Sequence, residues 1–200
     1  MEIRDPVHGS IHISKSEIPI LKNNFFQRLR NIKQLGFSEY VFPGATHTRF
    51  LHSIGVMNVG DMAFNALFPE HQSNTELLRL KETFKLGCLL HDIGHAPLSH
   101  STETVMPSLR SLNIPSEFLR DSENLDRQAT HEDYTIKSIA DSSFAESFKE
   151  VESTFGVERR FIADLIRGET NDSAYFTYKN NNYFPVLHQL ISSELDCDRM

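Results

Sequence analysis

Residues 89–95 read Leu-Leu-His-Asp-Ile-Gly-His and close an apolar pattern that predicts a helix from about Thr75 to Gly94. His91 and Asp92 are adjacent in this apolar setting, where two polar side chains must either be exposed or bind something. A neutral histidine nitrogen and a charged aspartate oxygen both suit a divalent metal ion. The segment therefore indicates a helical protein with a metal site in its core.

Helical periodicity extends in both directions from this segment. Towards the N-terminus, apolar spacing predicts one helix over residues 20–32, which Gly36 would end. It predicts another from about Thr48 to Phe68, with Met57 and Met62 in the core. Towards the C-terminus, helical patterns cover residues 131–140, 144–155, 157–167 and 184–200.

Three segments interrupt the helical pattern. Residues 5–13 predict a turn and a short extended piece, and the polar stretch 107–128 predicts a loop with a short helix. Residues 171–182 predict a loop or a small β hairpin. The expected fold class is therefore all-α, a helical bundle with a metal site in its core, in one domain over residues 1–200.

The composition of the chain is typical of a soluble globular protein. Hydrophobic residues make up 39% of the 200 residues and charged residues 24%, as is usual for soluble domains. No apolar run approaches the roughly 20 residues of a membrane span, and the N-terminus lacks the apolar stretch of a signal peptide, so a cytoplasmic protein is expected. The net charge of −7 argues against a large nonspecific nucleic-acid footprint but is compatible with a local phosphate site. Cys88 and Cys197 form no CxxC motif, so a disulfide framework is not expected.

The histidines are clustered, since seven of the ten lie between His47 and His131. His52 falls in the predicted helix before residues 75–94, and Asp198 falls in the last predicted helix. Together with the His91–Asp92 pair they would form a two-His, two-Asp set, of the kind that helical bundles build between facing helices. Such a set, with positions left open for water, is typical of catalytic metal sites.

Further histidines follow the pair. His95 lies four residues after His91 and would share a helix face with it, and His100 and His131 come later. An isolated His-Asp pair is most often a surface ion pair, but this many histidines in a core-like setting favour a site for metal and phosphate. The chain has no HExxH, Walker, GxGxxG or GxSxG motif.

Five short strings carry a resemblance to a known family. With them, the chain resembles the HD-domain superfamily, and within it the deoxynucleoside triphosphate triphosphohydrolase, or dGTPase-like, branch. The resemblance spans nearly the whole chain, and an ordered set of strings is far more specific than an HD pair alone. The strings are DPVHG at 5–9, FQRLR at 26–30, KQLG at 33–36, VFPGATH at 41–47 and LHDIGH at 90–95.

The resemblance implies a phosphohydrolase that uses one divalent metal ion, which could be Mn, Fe, Mg, Zn, Co or Ni. It implies that the metal ligands are His52, His91, Asp92 and Asp198. The catalytic residues that it implies, at the scissile phosphate or beside it, are His95, His131, Glu103 and His100.

The implied substrate is a deoxynucleoside triphosphate, with dGTP favoured, which is hydrolysed to deoxynucleoside and triphosphate. Arg49 and Arg199 resemble residues that contact the phosphates. Gln34 resembles a residue that touches the sugar 3′-hydroxyl, and Leu35 one that would crowd a 2′-hydroxyl. Family members form dimers or larger assemblies, so a homo-oligomer is expected.

The chain departs from the family pattern in three respects. Glu103 stands where a vertebrate family member has an aspartate that partners the catalytic histidine, so a carboxylate is kept but its reach changes. Gln27 and Arg30 match part of a guanine-nucleotide activator site, but Lys22 replaces its acidic residue, so activation by GTP is not expected. The chain also stops at Met200, two residues after Asp198, whereas family members continue. It is therefore interpreted as the N-terminal part of a longer architecture, with the activity of these 200 residues left open.

Several alternatives stay open at this point. Arg49 could be a surface cation, His100 a buried structural histidine, and Gln34 and Leu35 ordinary helix residues. The protein could be another HD hydrolase acting on a monophosphate, a cyclic dinucleotide or an alarmone. It could also be a non-catalytic nucleotide- or nucleic-acid-binding module. A purely structural helical domain would leave the histidine cluster unexplained.

Overall fold

Helices dominate the computed structural model, which describes residues 1–120, 123–194 and 196–199 and has two short strand pairs within those ranges. The predicted all-α fold class is confirmed, and so is the hairpin expected within residues 171–182. In chain order the elements are β1 (Glu2–Asp5), β2 (Gly9–His12), α1 (Ile18–Lys22), α2 (Asn24–Gln27), α3 (Arg49–Leu67), α4 (Thr75–Leu90), α5 (His131–Ala140), α6 (Ser142–Ala145), α7 (Lys149–Phe155), α8 (Arg159–Arg167), β3 (Thr177–Tyr178), β4 (Asn181–Asn182) and α9 (Phe184–Ile191).

The helices α3 and α4 pack against each other at the centre of the fold. Asn74 caps the start of α4, because its side chain accepts a hydrogen bond from the backbone N–H of Leu77 at 3.0 Å. The two helices approach closely at Gly60, where an added Cβ would lie 2.7 Å from Cys88 Sγ. Both helices begin within one residue of the predicted positions, because their N-terminal boundaries are marked in the sequence.

The C-terminal end of α4 differs from the prediction. The helix ends at Leu90 and not at Gly94, because the chain turns after Leu90 and the N–H of Ile93 bonds to the Leu90 carbonyl at 3.0 Å. The polar pair His91–Asp92 therefore lies in a turn directly after the helix.

The helix predicted over residues 20–32 is divided. Asn23 is extended, with φ −65° and ψ 143°, and its side chain accepts a hydrogen bond from the N–H of Phe25. Asn23 thereby ends α1 and caps α2, as expected for a residue whose side chain competes with the helical backbone. A 3₁₀ turn, Arg28–Asn31, follows α2.

The last predicted helix, over residues 184–200, is also shorter than expected, because α9 covers only its first part. Beyond α9, the carboxylate of Asp196 accepts hydrogen bonds from the N–H groups of Ser193 and Arg199, at 2.6 and 3.0 Å. These bonds form a turn. Asp198 was predicted to lie in a helix, and this prediction was wrong because the residue lies in the turn.

Buried apolar side chains form two clusters. One extends from β2 through α1 and α2 to α5 and α6, and the other fills the space between α3, α4, α8 and α9. Met57 is buried as predicted, whereas Met62 is 63% exposed and its assignment to the core was wrong. The two methionines are five positions apart, which places them about 140° apart around α3. Within the described ranges, none of the helices combines the length and the apolar character needed to cross a bilayer.

Candidate metal centre and active site

Three side chains from distant parts of the chain meet beside the end of α4. His52 comes from the first turn of α3, His91 follows α4 directly, and Asp198 comes from the C-terminal turn. His52 Nε2 lies 2.5 Å from Asp198 Oδ1, and His91 Nε2 lies 3.4 Å from the same oxygen. One nitrogen or oxygen from each residue lies within 4.8 Å of the other two, and these three residues are called the ligand group below.

A backbone contact fixes the ring of His91. Its Nδ1–H donates to the carbonyl of Cys88 at 2.8 Å, which leaves Nε2 for the ligand group. Burial lowers the pKa of His91, but the carboxylates of Asp92 and Asp198 outweigh this effect and raise it to about 9. The close approach of His52 and His91 holds the pKa of Asp198 well below its ordinary value. The ligand group thus binds a proton tightly, and the same negative charge would attract a metal cation.

The donor atoms of the ligand group fit a divalent metal ion. Among the residues that the structure describes, the Nε2 atoms of His52 and His91 are buried without an aligned hydrogen bond, although the carboxylate oxygens of Asp92 and Asp198 lie 2.5 to 3.7 Å away. Nitrogen and oxygen atoms that lie close together without a hydrogen bond between them are expected where their lone pairs point at one shared cation. Imidazole nitrogens with carboxylate oxygens suit the divalent metals of catalytic sites.

Asp92 connects the ligand group with the rest of the site. Its Oδ1 lies 3.5 Å from His91 Nε2 and 3.3 Å from His95 Nε2. Its Oδ2 lies 3.7 Å from His52 Nε2 and forms a buried ion pair with Arg49. Burial raises the pKa of Asp92, but the charge of His91 and a hydrogen bond from His95 help to hold it well below its ordinary value. Asp92 is therefore an anion at neutral pH.

A second group of histidines, called the histidine group, adjoins Asp92 and contains His95, His100 and His131. The rings of His95 and His131 stack with their centroids 4.0 Å apart. His131 Nδ1 and His100 Nδ1 both bond to Glu103 Oε1, the second at 3.2 Å. Partial burial raises the pKa of Glu103, but these hydrogen bonds outweigh it and keep the pKa below its ordinary value. An ionised Glu103 thus orients His131 so that its Nε2 is the free ring nitrogen.

His95 is held as a neutral imidazole. It is 1% exposed, and burial lowers its pKa to about 4, although a hydrogen bond to Asp92 opposes this shift. Within the described residues its Nδ1 has no hydrogen-bond partner. The ring therefore keeps an unprotonated, buried Nδ1 at neutral pH.

One cleft of 420 Å³ is lined by His91 and Asp198 of the ligand group and by all three members of the histidine group, whereas His52 lines a neighbouring pocket. Arg199 is exposed in its lining, and the Gln34 Oε1 atom is buried there with no hydrogen-bond partner in the described part of the chain. Leu35 is half-buried and does not line the cleft. The lining residues are Gln34, Arg49, His91, Asp92, His95, His100, His131, Glu132, Ile166, Ile191, Ser192, Ser193, Glu194, Asp196, Asp198 and Arg199.

Three sequence interpretations need correction. His91 and His95 do not share a helix face, because α4 ends before both, and each belongs to a different group. Arg49 is not a surface cation, since it is 4% exposed. His100 is not a buried structural histidine, since its side chain is 67% exposed.

Sequence reasoning missed residues that support the site. Ser99 Oγ accepts a hydrogen bond from Arg49 Nη2 at 2.5 Å, and Asp196 forms the turn that presents Asp198. An aspartate two residues before Asp198 is a sequence signal for such a turn. Ser99 follows no recognisable pattern, because its partner lies 50 residues away.

Comparison with known proteins identifies relatives, although no family model matches the chain. The uncharacterized protein YwfO of Bacillus subtilis is 33% identical over 202 residues, which cover 98% of this chain and 37% of YwfO. The deoxynucleoside triphosphate triphosphohydrolase SAMHD1 of Xenopus laevis is 45% identical over 97 residues, which cover 48% of this chain and 15% of SAMHD1. Over about half of its length, the chain is homologous to a deoxynucleoside triphosphate triphosphohydrolase.

The fold of the chain has a solved counterpart. The crystal structure of a hypothetical protein from Aquifex aeolicus matches it with a TM-score of 0.64 and 27% sequence identity, covering 100% of this chain and 43% of that chain. The resemblance inferred from the sequence strings is thus confirmed. The matched region spans 15 to 37% of the two relatives described above, so the chain corresponds to a part of each.

Proposed function

We propose that this chain carries the catalytic centre of a metal-dependent triphosphohydrolase. The enzyme would cleave a deoxynucleoside triphosphate, dGTP by preference, into deoxynucleoside and triphosphate. The observation that carries the proposal is that Asp92, which lines the cleft, contacts both the ligand group and the histidine group. Homologues named as deoxynucleoside triphosphate triphosphohydrolases support the choice of substrate.

The ligand group supports a role for one divalent metal ion, whether Mn, Fe, Mg, Zn, Co or Ni. When bound, such an ion supplies Lewis-acid chemistry that polarises a phosphate and makes water nucleophilic near neutral pH. The residues that would hold it are His52, His91, Asp92 and Asp198.

The histidine group supports general acid catalysis. His131 binds Glu103 through Nδ1, so its Nε2 would give a proton to the departing sugar oxygen. Glu103 would stabilise the protonated ring by its charge. His95 stacks on His131, and because burial keeps His95 neutral it would act as a proton shuttle beside His131 and not as the acid itself.

Cationic and polar side chains of the cleft suit a triphosphate and a sugar. Arg49 and Arg199 would offset the phosphate charge, since guanidinium groups bind phosphate oxygens strongly. His100 is exposed beside them in the lining and would contact a phosphate. Gln34 offers an acceptor oxygen for a sugar hydroxyl, and the role of Leu35 against a 2′-hydroxyl rests on the family resemblance.

The proposal extends to the architecture of the protein. Residues 1–200 would form one HD domain at the N-terminal part of a longer cytoplasmic protein, which would assemble as a dimer or larger homo-oligomer. The chain spans 37% of YwfO and 15% of SAMHD1, so the activity of residues 1–200 alone is measured directly in the experiment below.

Product analysis tests the proposed reaction. Wild type, Asp92→Asn and Asp126→Asn would be incubated with each dNTP and Mn²⁺ or Mg²⁺, and the products separated by ion-exchange chromatography. Asp126 is a matched control, because it also pairs with an arginine, Arg110, but both side chains are exposed. We expect deoxynucleoside and triphosphate from wild type and Asp126→Asn, and turnover about 10²-fold slower from Asp92→Asn.

Other products would contradict the proposal in defined ways. Release of a nucleoside monophosphate or single phosphates would identify another HD-type phosphohydrolase. Binding of metal and nucleotide without turnover would identify a non-catalytic nucleotide-binding module.

A further inference from the structure

The turn over residues 91–95 carries side chains of both groups, so its backbone sets the distance between them. His91 belongs to the ligand group, Asp92 contacts both groups, and His95 stacks on His131. A shift of this turn would therefore move His95 and Asp92 together relative to α5. The contacts that hold its backbone come from two other parts of the chain.

Arg28, which begins the 3₁₀ turn after α2, holds two carbonyls of this turn. Its Nη1 donates to the carbonyl of His95 at 2.7 Å, and its Nη2 donates to the carbonyl of Ile93. In the ranges that the structure describes, its guanidinium forms no ion pair with a carboxylate. Burying a charge against carbonyls alone costs free energy, so stability is not the evident benefit of this arrangement. A planar guanidinium does, however, fix two acceptors relative to each other, which a lysine cannot do.

Helix α5 holds the same turn through two backbone groups of the turn that Arg28 does not contact. Thr135 Oγ1 donates to the carbonyl of His91 at 3.0 Å and accepts from the N–H of Gly94 at 2.9 Å. An added Cβ on Gly94 would lie 2.1 Å from the carbonyl oxygen of His131. Since α5 begins with His131, the contact that positions the turn also positions the ring on which His95 stacks.

We infer that Arg28 is a positioning residue, which holds the turn 91–95 against α5 and so fixes His95 relative to Asp92 and His131. Arg28 does not line the cleft, so it acts on the reaction through the backbone of the turn. The inference rests on the proposed function for its kinetic consequence. The positioning itself can be measured without turnover.

The test compares wild type with Arg28→Lys, which keeps the charge but loses the planar fork. Arg159→Lys is the matched control, because Arg159 Nη1 also donates to a backbone carbonyl, that of Ile139 at 2.8 Å, away from the cleft. The measurements are the thermal midpoint, the Kd for Mn²⁺, the ring ¹⁵N signals of His95 and His131, and kcat and KM for dNTP.

We expect kcat of Arg28→Lys to fall about 10- to 100-fold, because small misplacements of reacting groups are costly, with KM and the Mn²⁺ Kd changed by less than about 3-fold. The ring signals of His95 and His131 should shift in Arg28→Lys, and Arg159→Lys should match wild type throughout. Unchanged ring signals, or a kcat that falls only in proportion to lost folding or metal occupancy, would overturn the inference.

Two further outcomes are decided by the same measurements. If wild type hydrolyses no dNTP, the proposed function fails, and the ring signals alone support or overturn the positioning role. If Arg28→Lys does not fold, Thr135→Val replaces it, since it removes the hydroxyl at nearly constant volume. Shifted His95 and His131 signals in that folded variant support the inference, and unchanged signals overturn it.

Discussion

The bond between His131 and Glu103 decides which ring nitrogen of His131 can react. Because Nδ1 donates to the carboxylate, the exchangeable proton at the cleft belongs to Nε2. Hydrogen bonds from His131 and His100 keep the pKa of Glu103 low despite partial burial, so the charge that favours a protonated ring persists at neutral pH. A neutral amide would keep the orientation but lose this charge.

The first prediction concerns Glu103→Gln. We expect kcat to fall about 10²-fold, because the general acid loses its stabilising anion, with KM and Mn²⁺ affinity nearly unchanged. Steady-state kinetics and calorimetric metal titration would measure these values. Glu146→Gln is the control, since Glu146 forms an exposed ion pair with Lys149. A kcat equal to wild type would remove Glu103 from the mechanism.

At the scale of elements, the second prediction concerns the contact between the turn 91–95 and α5. In Gly94→Ala the new methyl would lie 2.1 Å from the His131 carbonyl oxygen and 2.2 Å from the Thr135 nitrogen, so α5 must move. We expect the free energy of unfolding to fall by about 3 kcal/mol. Gly44→Ala, where nothing lies within 4 Å of the new Cβ, should change it by less than about 1 kcal/mol.

Chemical denaturation of the two glycine variants measures this difference. Equal stability of Gly94→Ala and Gly44→Ala would mean that the turn and α5 separate without cost. The positioning role of Arg28 would then lose its second support.

Elements with long apolar periodicity were predictable from the sequence. The helix α3 matches its prediction within one residue at both ends, because its apolar pattern is continuous over five turns. The division of the helix expected over residues 20–32 was not predictable, because a single side-chain cap at Asn23 breaks the helix while the apolar pattern continues. Local hydrogen bonds to side chains thus set boundaries that periodicity does not report.

The grouping of the site residues was less predictable than their identity. His91 and His95 were expected on one helix face, and only the turn after Leu90 divides them between two groups. That turn depends on Arg28 and Thr135, which lie 63 residues before and 44 residues after His91 and belong to no motif of the site. Contacts over such separations cannot be inferred from spacing along the chain.

At the scale of the whole molecule, a buried charge network lies apart from the cleft. Lys85 pairs with Glu17 at 2.6 Å and Asp61 at 3.7 Å, and Lys81 pairs with Asp61 at 3.1 Å. Burial raises the pKa of the neighbouring Glu82 to about 7, and the attraction of Lys85 only partly offsets this. One Glu82 oxygen is buried without a hydrogen-bond partner in the described structure.

The third prediction follows from this raised pKa. The folded chain binds the Glu82 proton more tightly than the unfolded chain, whose pKa is about 4.5, so stability falls as pH rises between these values. The loss reaches about 3 kcal/mol by pH 7 and then levels off. Glu82→Gln should lack this loss and be more stable than wild type at pH 8, whereas the exposed control Glu76→Gln should retain it.

Urea denaturation from pH 4.5 to 8 provides the measurement. Parallel pH profiles of wild type and Glu82→Gln would show that Glu82 titrates normally in the folded chain.

The fourth prediction uses the fact that the ligand group joins α3, the end of α4 and the C-terminal turn, so that a bound metal would stabilise the whole chain. Binding to the folded state alone adds about 2.7 kcal/mol at 100 times Kd, which raises the thermal midpoint by about 5 to 10 °C. We expect Mn²⁺ to produce this rise in wild type and in His188→Asn but not in His91→Asn. His188 is a matched control, because its Nδ1 donates to the Leu165 carbonyl at 2.7 Å, as His91 does to Cys88, yet it lies outside the ligand group. Calorimetry with an EDTA reference measures the rise, and an equal rise in His91→Asn would mean that Mn²⁺ binds elsewhere on the protein.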